Sequence, residues 1–216
     1  MTRTNPQGDL VLPSVLSFDA AGWCGDIVCK PSMNFDARPD GVEVRLLVIH
    51  NISLPLGQFG GPYIEALFAN ALDCDAHPYF AQLRNVTVSA HFLVRRDGSA
   101  LQFVSTDQRA WHAGASVFDG EPRCNDFSIG IELEGSDDQP YADGQYQTLA
   151  ALTLALSERY PLTHVLGHEH IAPGRKTDPG PSFDWARYRL AYCAPEKNLF
   201  SQKKSRDSLF FPNGAQ

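Results

Sequence analysis

Within the segment Val42 to His50, VEVRLLVIH, four apolar residues stand in a row, Leu46 to Ile49, and the next side chain is a histidine. A strand with one face in water alternates apolar with polar residues, so an unbroken run of this length predicts a strand covered on both faces. The chain is therefore expected to build layers on both sides of a sheet. Such a core needs material: 216 residues with 43% hydrophobic and 20% charged side chains are enough for one folded domain, and rule out a collagenous, coiled-coil or wholly disordered chain.

Other elements fall around that strand. After the loop NISLPLGQFGG comes PYIEALFANAL, where Pro62 suits a first helical turn and Ile64, Leu67, Phe68 and Leu72 recur at helical spacing. Val86–Arg95 and Ala100–Val104 flank Asp97-Gly98, a pair that supplies the positive φ of a hairpin turn. In SIGIELE, Ile129, Ile131 and Leu133 share one face, so Gly130, Glu132 and Glu134 share the other and two carboxylates point the same way. The spacing of Tyr146, Leu149, Leu152, Leu156 and Tyr160 predicts an amphipathic helix over 143–160, capped by Asp143 and stopped by Pro161. A short strand at 163–166, an irregular Gly- and Pro-rich loop and a helix from Asp184 to about Tyr192 complete the domain. The expected fold is α/β (α+β), a mixed central sheet flanked by helices on both sides. Residues 1 to about 40 read as a lead-in packing over the domain without entering its core, and those after Cys193 as a loosely held polar tail.

Charge and cysteine usage narrow the function. With 25 acidic against 18 basic residues the net charge is -7, and phosphate backbones would be repelled, so nucleic acid is not expected as a partner. No apolar span approaches the roughly 20 residues that cross a bilayer, and Asp9, Pro13 and Asp19 interrupt the N-terminus, which gives the expectation of a cytoplasmic protein without a membrane partner. Cys24, Cys29, Cys74, Cys124 and Cys193 are scattered, without metal-finger spacing, and read as reduced thiols.

His50, at the end of a buried strand, stands where active sites collect in sheet folds. The loop GHEHIAPGRKTDPG adds His168, Glu169, His170, Lys176 and Asp178 in a segment stiffened by Pro and Gly. Two imidazoles and a carboxylate with a fourth position open to water is the usual catalytic zinc arrangement, and His50, His168 and Asp178 satisfy it. In strand-like alternation His168 and His170 share a side, so spacing alone does not choose between them.

Taken in order, VIHNISLP, SAHFLVRRDG, RAWHAG, RCNDFSIGIELEG and GHEHIAPGRKTDPGPSFDW resemble the AmpD-type zinc amidases, N-acetylmuramoyl-L-alanine amidases of peptidoglycan recycling with the amidase_2, peptidoglycan-recognition-like fold. The resemblance spans about residues 17–192, leaving 1–16 as lead-in and 193–216 as tail. It implies one zinc ion on His50, His168 and Asp178, which decides against His170, with Glu132 as catalytic glutamate and Lys176 as catalytic lysine. Glu132 would move a proton from water to the leaving L-alanine nitrogen, and Lys176 would hold the oxyanion. Asn51, Arg123 and Trp111 map to substrate-binding positions, and His112 to the cleft. His91 reads as structural, and His77, His164 and His170 as surface or supporting residues. Thr87 stands where some relatives carry an arginine. The implied substrate is an anhydro-muropeptide cut by a monomeric enzyme, with an indirect effect on β-lactamase induction. Because muropeptides are anionic, the cleft is expected to be locally positive through zinc, Lys176 and Arg123. The alternatives are a recognition module that binds without cutting, an exported cell-wall amidase, and a phage-lysozyme-like amidase; the last would carry Cys in place of Asp178.

Overall fold

The computed structural model describes residues 16–194 and 209–212, together with the backbone of a short strand pair, β1 (Arg3–Thr4) and β2 (Leu10–Val11). The main sheet has six strands in the order β12 (His164–Gly167), β5 (Leu46–Ile52), β11 (Ser128–Glu134), β6 (Phe92–Val94), β7 (Ala100–Gln102) and β3 (Val28–Cys29). The first four run parallel, β6 and β7 form an antiparallel hairpin, and β3 lies parallel to β7. Two small antiparallel pairs lie outside it, β4 (Phe35–Ala37) with β8 (Gln108–Ala110) and β9 (Val117–Phe118) with β10 (Glu121–Pro122).

The unbroken apolar run behaves as its pattern requires: Leu46, Leu47, Val48 and Ile49 are all fully buried, between layers on both faces of β5. Leu47, Ile49, Ile129, Ile131 and Leu133 face one core with α2 (Asp143–Arg159) and α4 (Trp185–Cys193). The opposite face carries two separate apolar clusters. In one, Leu93, Leu101 and Phe103 pack against α1 (Tyr63–Phe68) and Phe80 of a 3-10 helix (Pro78–Leu83); in the other, Leu46, Val48 and Leu166 meet Phe127, Cys124 and Ile171. The even-numbered residues that continue β5 and β11 between these clusters are His50 and Glu132.

The Asp97-Gly98 turn is present, with Gly98 at φ 83° and Arg95 N–H donating to Ser99 O at 2.8 Å. Helix 143–160 is likewise present, but Ala142 occupies the cap and Asp143 is its first residue. The helix after Pro62 is shorter than its periodicity predicts: it ends at Phe68, and Asn70 turns the chain at φ 56°, a conformation that stops a helix. Only residues 92–94 of the predicted 86–95 strand join the sheet. Upstream, Asn34 and Trp111 take over the backbone, with Asn34 Nδ2 donating to Val88 O (2.8 Å) and Ser89 N–H to Trp111 O (3.2 Å).

Two expectations are corrected at the chain's ends. Leu16, Cys24 and Ile27 are buried in the main core and β3 extends the sheet, so the lead-in is part of the fold from residue 16 on. The sheet's far strands are short and need this cover. The tail is not wholly loose either: Phe210 N–H donates to Thr163 O (2.9 Å), Val165 N–H donates to Phe210 O (2.8 Å), and Leu209 and Phe211 are buried. Phe211 lies 5.1 Å from the Tyr188 ring and 5.5 Å from that of Tyr192, an apolar anchor that net composition concealed. Residues 195–208 lie outside the described ones. All five cysteines are free thiols, with Cys24 and Cys124 buried.

Candidate active site

The parallel register of β11 with β5 sets Glu132 directly beside His50. On the far side of β5, β12 ends at Gly167 and the chain turns at once into α3 (His168–Ile171), so the GHEH segment is a helical turn and not the irregular loop expected from its composition. Successive residues of a helix are about 100° apart, so His168 and His170 diverge where a strand would have aligned them. His168 faces His50, whereas His170 Nδ1 accepts from Gly167 N–H (3.0 Å) and its ring lies edge-on to Trp185. Asp178 follows at the end of the loop, whose backbone is tied back by Glu169 N–H to Asp178 O (3.0 Å) and by the Tyr141 hydroxyl to Pro179 O (2.7 Å). The Asp178-Pro179 bond is cis.

Three ligand atoms converge as a result. His50 Nδ1 and His168 Nδ1 are 3.0 Å apart, and Asp178 Oδ2 lies 2.9 Å from the first and 3.1 Å from the second. Among the described residues this is the group that could hold a metal ion. Ligands about 2.0–2.1 Å from a tetrahedral ion are about 3.3 Å from each other, so the set fits a small divalent cation after slight expansion. The outer nitrogens are engaged: His168 Nε2 meets Ala113 O (3.0 Å) and His50 Nε2 meets His112 Nδ1 (2.9 Å). Burial pushes His50 down to about 4, against the opposing pull of Asp178. Burial works to raise Asp178, but the close approach of His168 and His50 outweighs it and holds the carboxyl well below its usual range.

Glu132 is set apart from this group and from the other carboxylate on its face. Its Oε2 is sealed from solvent without a hydrogen-bond partner, and burial, then the negative charge of Asp178, raise it well above the ordinary glutamate range, with Lys176 opposing. Glu134 is structural: it accepts from Arg95 Nη1 (2.8 Å), Gly60 N–H (2.6 Å) and Arg96 N–H (3.2 Å). A cleft of about 640 Å³ opens beside Asp178, its walls including Asn51, Leu56, Asp137, Arg175 and Lys176. Lys176 is exposed at the mouth; Asn51 Nδ2 donates to Asp137 Oδ1 (2.7 Å) and Pro179 O (3.1 Å).

Two of the sequence-predicted substrate residues stand elsewhere. Arg123 sits exposed in the loop before β11 and pairs with Asp126 at 3.2 Å, and Trp111 is tied through its backbone to Ser89; neither lines the cleft. The lining holds Lys176 and Arg175 against Asp137, Asp138 and Asp178, so the protein alone does not make it positive. Asp137, Asp138 and Leu56 carried no sequence signal beyond loop composition. Among the described residues no helix is long and apolar enough to cross a membrane.

Residues 40–181 match the family profile described as Amidase_2, N-acetylmuramoyl-L-alanine amidase. The chain is 59% identical over 170 residues to the 1,6-anhydro-N-acetylmuramyl-L-alanine amidase AmpD of Citrobacter freundii, covering 78% of this chain and 91% of that one. It is 57% identical over 171 residues to the protein of the same name from Escherichia coli K12, covering 78% and 93%. Among solved structures, a selenomethionine derivative of AmpD superposes with a TM-score of 0.79 at 57% identity over 81% of this chain and 98% of that one. The amidase AmiD from E. coli, in complex with anhydro-N-acetylmuramic acid-L-Ala-D-gamma-Glu-L-Lys, gives 0.51 at 28% identity over 83% and 66%.

Proposed function

The chain belongs to the Amidase_2 family of N-acetylmuramoyl-L-alanine amidases, and from that premise we propose how its residues work. It hydrolyses the amide between 1,6-anhydro-N-acetylmuramic acid and L-alanine in muropeptides, a step of peptidoglycan recycling. The observation that carries the mechanism is the pairing of a convergent His50, His168, Asp178 set with a Glu132 one strand away whose sealed Oε2 has no hydrogen-bond partner. His50, His168 and Asp178 would hold one zinc ion, which when bound polarises the amide carbonyl and makes water acidic enough to react near neutral pH. Held there, the ion would add positive charge to a lining in which Lys176 and Arg175 face Asp137, Asp138 and Asp178.

Glu132 does the proton work. Its raised affinity for a proton suits a group that takes one from the attacking water and passes it to the L-alanine nitrogen as the C–N bond breaks. Lys176, free to swing at the cleft mouth, offers its ammonium to the oxyanion. Asn51, held by Asp137 and Pro179 O, positions the sugar end of the substrate. The enzyme acts as a cytoplasmic monomer with one catalytic unit over residues 17–192. A module that binds without cutting is not favoured, because the relatives at 51–59% identity are named amidases. The test is to load the protein and its Glu132→Ala variant with zinc, add anhydro-muramyl tripeptide and follow free peptide by mass spectrometry. Release by the wild type alone is expected; none from the zinc-loaded wild type overturns the reading.

A further inference from the structure

The two histidines of the convergent set lean on one short segment of chain. We propose that His112 and Ala113, clamped by Asn125, are positioning residues that preset both imidazoles, fixing each with its proton on Nε2 and its bare Nδ1 turned to the metal position. This deepens the metal reading above and rests on it.

Hydrogen-bond direction carries the argument. The Cys124 carbonyl only accepts, so the Ser128 hydroxyl, 2.5 Å away, donates to it. Having given up its one proton, Ser128 Oγ accepts from His112 Nε2–H at 3.2 Å. That leaves His112 Nδ1 as a lone pair, which accepts from His50 Nε2–H at 2.9 Å. His50 therefore presents an unprotonated Nδ1 to Asp178 and His168. On the other side the Ala113 carbonyl, also only an acceptor, takes His168 Nε2–H at 3.0 Å and sets the same tautomer there. Adjacent residues thus serve both ligands, one by side chain and one by backbone. Their own N–H groups both donate to Asn125 Oδ1, at 3.2 and 2.8 Å, and Arg175 Nη2 donates to Ala113 O at 3.0 Å and Ala115 O at 2.5 Å, so the segment is held from two sides. The strand makes room for it: a Cβ on Gly130 would fall 2.4 Å from His112 Cγ. Outer partners of this kind typically matter 10- to 100-fold, roughly, for metal affinity.

The test measures zinc binding and tautomers as well as activity. Zinc affinity is read by competition with a chromophoric chelator for wild type, His112→Phe and Ser128→Ala, with the thermal midpoint of each metal-free protein as the control for folding. His112→Phe should weaken zinc roughly 10- to 100-fold, and Ser128→Ala, which removes only the group that sets the direction, about two- to tenfold. Long-range proton–nitrogen NMR on metal-free wild type should find the His50 proton on Nε2, and on Ser128→Ala a new Nδ1–H population. Affinities within twofold of wild type in both variants, or His50 protonated on Nδ1 in wild type, overturn the proposal. If His112→Phe does not fold, Ser128→Ala and the wild-type spectrum still decide it. A wild type that takes up no zinc overturns the metal reading itself, a result distinct from variants that match a zinc-binding wild type.

Discussion

Glu132 and Glu134 share a strand face two residues apart, yet replacing each with glutamine should leave opposite signatures. Glu134 accepts three hydrogen bonds, from Arg95, Gly60 N–H and Arg96 N–H, and is 2% exposed. Glutamine keeps one acceptor oxygen and removes the charge facing Arg95, although Arg95 retains Glu65 at 2.6 Å. Losing one or two charge-assisted bonds at about 1.5–3 kcal/mol each, partly relieved by that second carboxylate, gives a cost of about 2–4 kcal/mol. For a chain of this size that lowers the melting midpoint by roughly 5–15 °C. Glu132 has no partner on Oε2 to lose, so Glu132→Gln should leave stability within about 1 kcal/mol of wild type or raise it. Its turnover should instead drop about 10²- to 10⁴-fold, while Glu134→Gln, assayed well below its midpoint, stays within a few-fold. Melting curves of the metal-free proteins and peptide release by the zinc-loaded ones measure both. The reasoning is refuted if Glu132→Gln destabilises as much as Glu134→Gln, or if Glu134→Gln abolishes turnover without lowering the midpoint.

Three further outcomes are expected. Burial, with the nearby Arg38 charge, lowers His91 to about 3, so below about 6.5 the unfolded chain takes a proton that the folded one refuses. Its contribution is complete above that pH and is lost towards 3 at about 1.4 kcal/mol per unit; urea midpoints at pH 7, 6 and 5 should fall more steeply for wild type than for His91→Gln, and equal slopes would count against this. Gly130→Ala should displace the His112 ring and weaken zinc uptake as measured by chelator competition, whereas unchanged affinity would show that the ring can shift freely. Phe211→Ala should cost about 1–3 kcal/mol, capped by undocking of the terminal segment, and should speed exchange of the Val165 amide that bonds Phe210 O; unaltered exchange would mean that the segment is held by other contacts.

Local patterns carried much of this molecule. The run Leu46–Ile49, the alternation 128–134, the Asp97-Gly98 turn and the 143–159 helix each announce themselves within a few residues, because period and turn chemistry are local properties. His50 was legible as a histidine at a strand end and Asp178 as a carboxylate in a rigid loop, whereas Glu132 was singled out by the family resemblance. What the sequence hid is partner choice. Nothing local says that Glu134 meets Arg95 while Glu132 Oε2 is left without a hydrogen-bond partner, or that Asn125 clamps residues 112 and 113. These depend on tertiary packing, as does the burial of Leu16 and Phe211 in a core assembled mainly from residues between them. The helical turn at 168–171 was hidden for a different reason: its capping residue, Gly167, also reads as a loop breaker.

The placement of Phe210 beside β12 bears on how safely the chain can be made. Thr163 to Val165 would otherwise present the open border of a parallel sheet, the kind of backbone row that recruits foreign strands. Its cover comes from the last described residues, after every other strand of the sheet has been synthesised. During translation, and whenever the terminal segment lifts, that border is open to neighbouring copies. Concentration-dependent aggregation of newly made or tail-trimmed chains is the hazard this arrangement carries, and the paired aromatic anchors at Tyr188 and Tyr192 limit it once synthesis is complete.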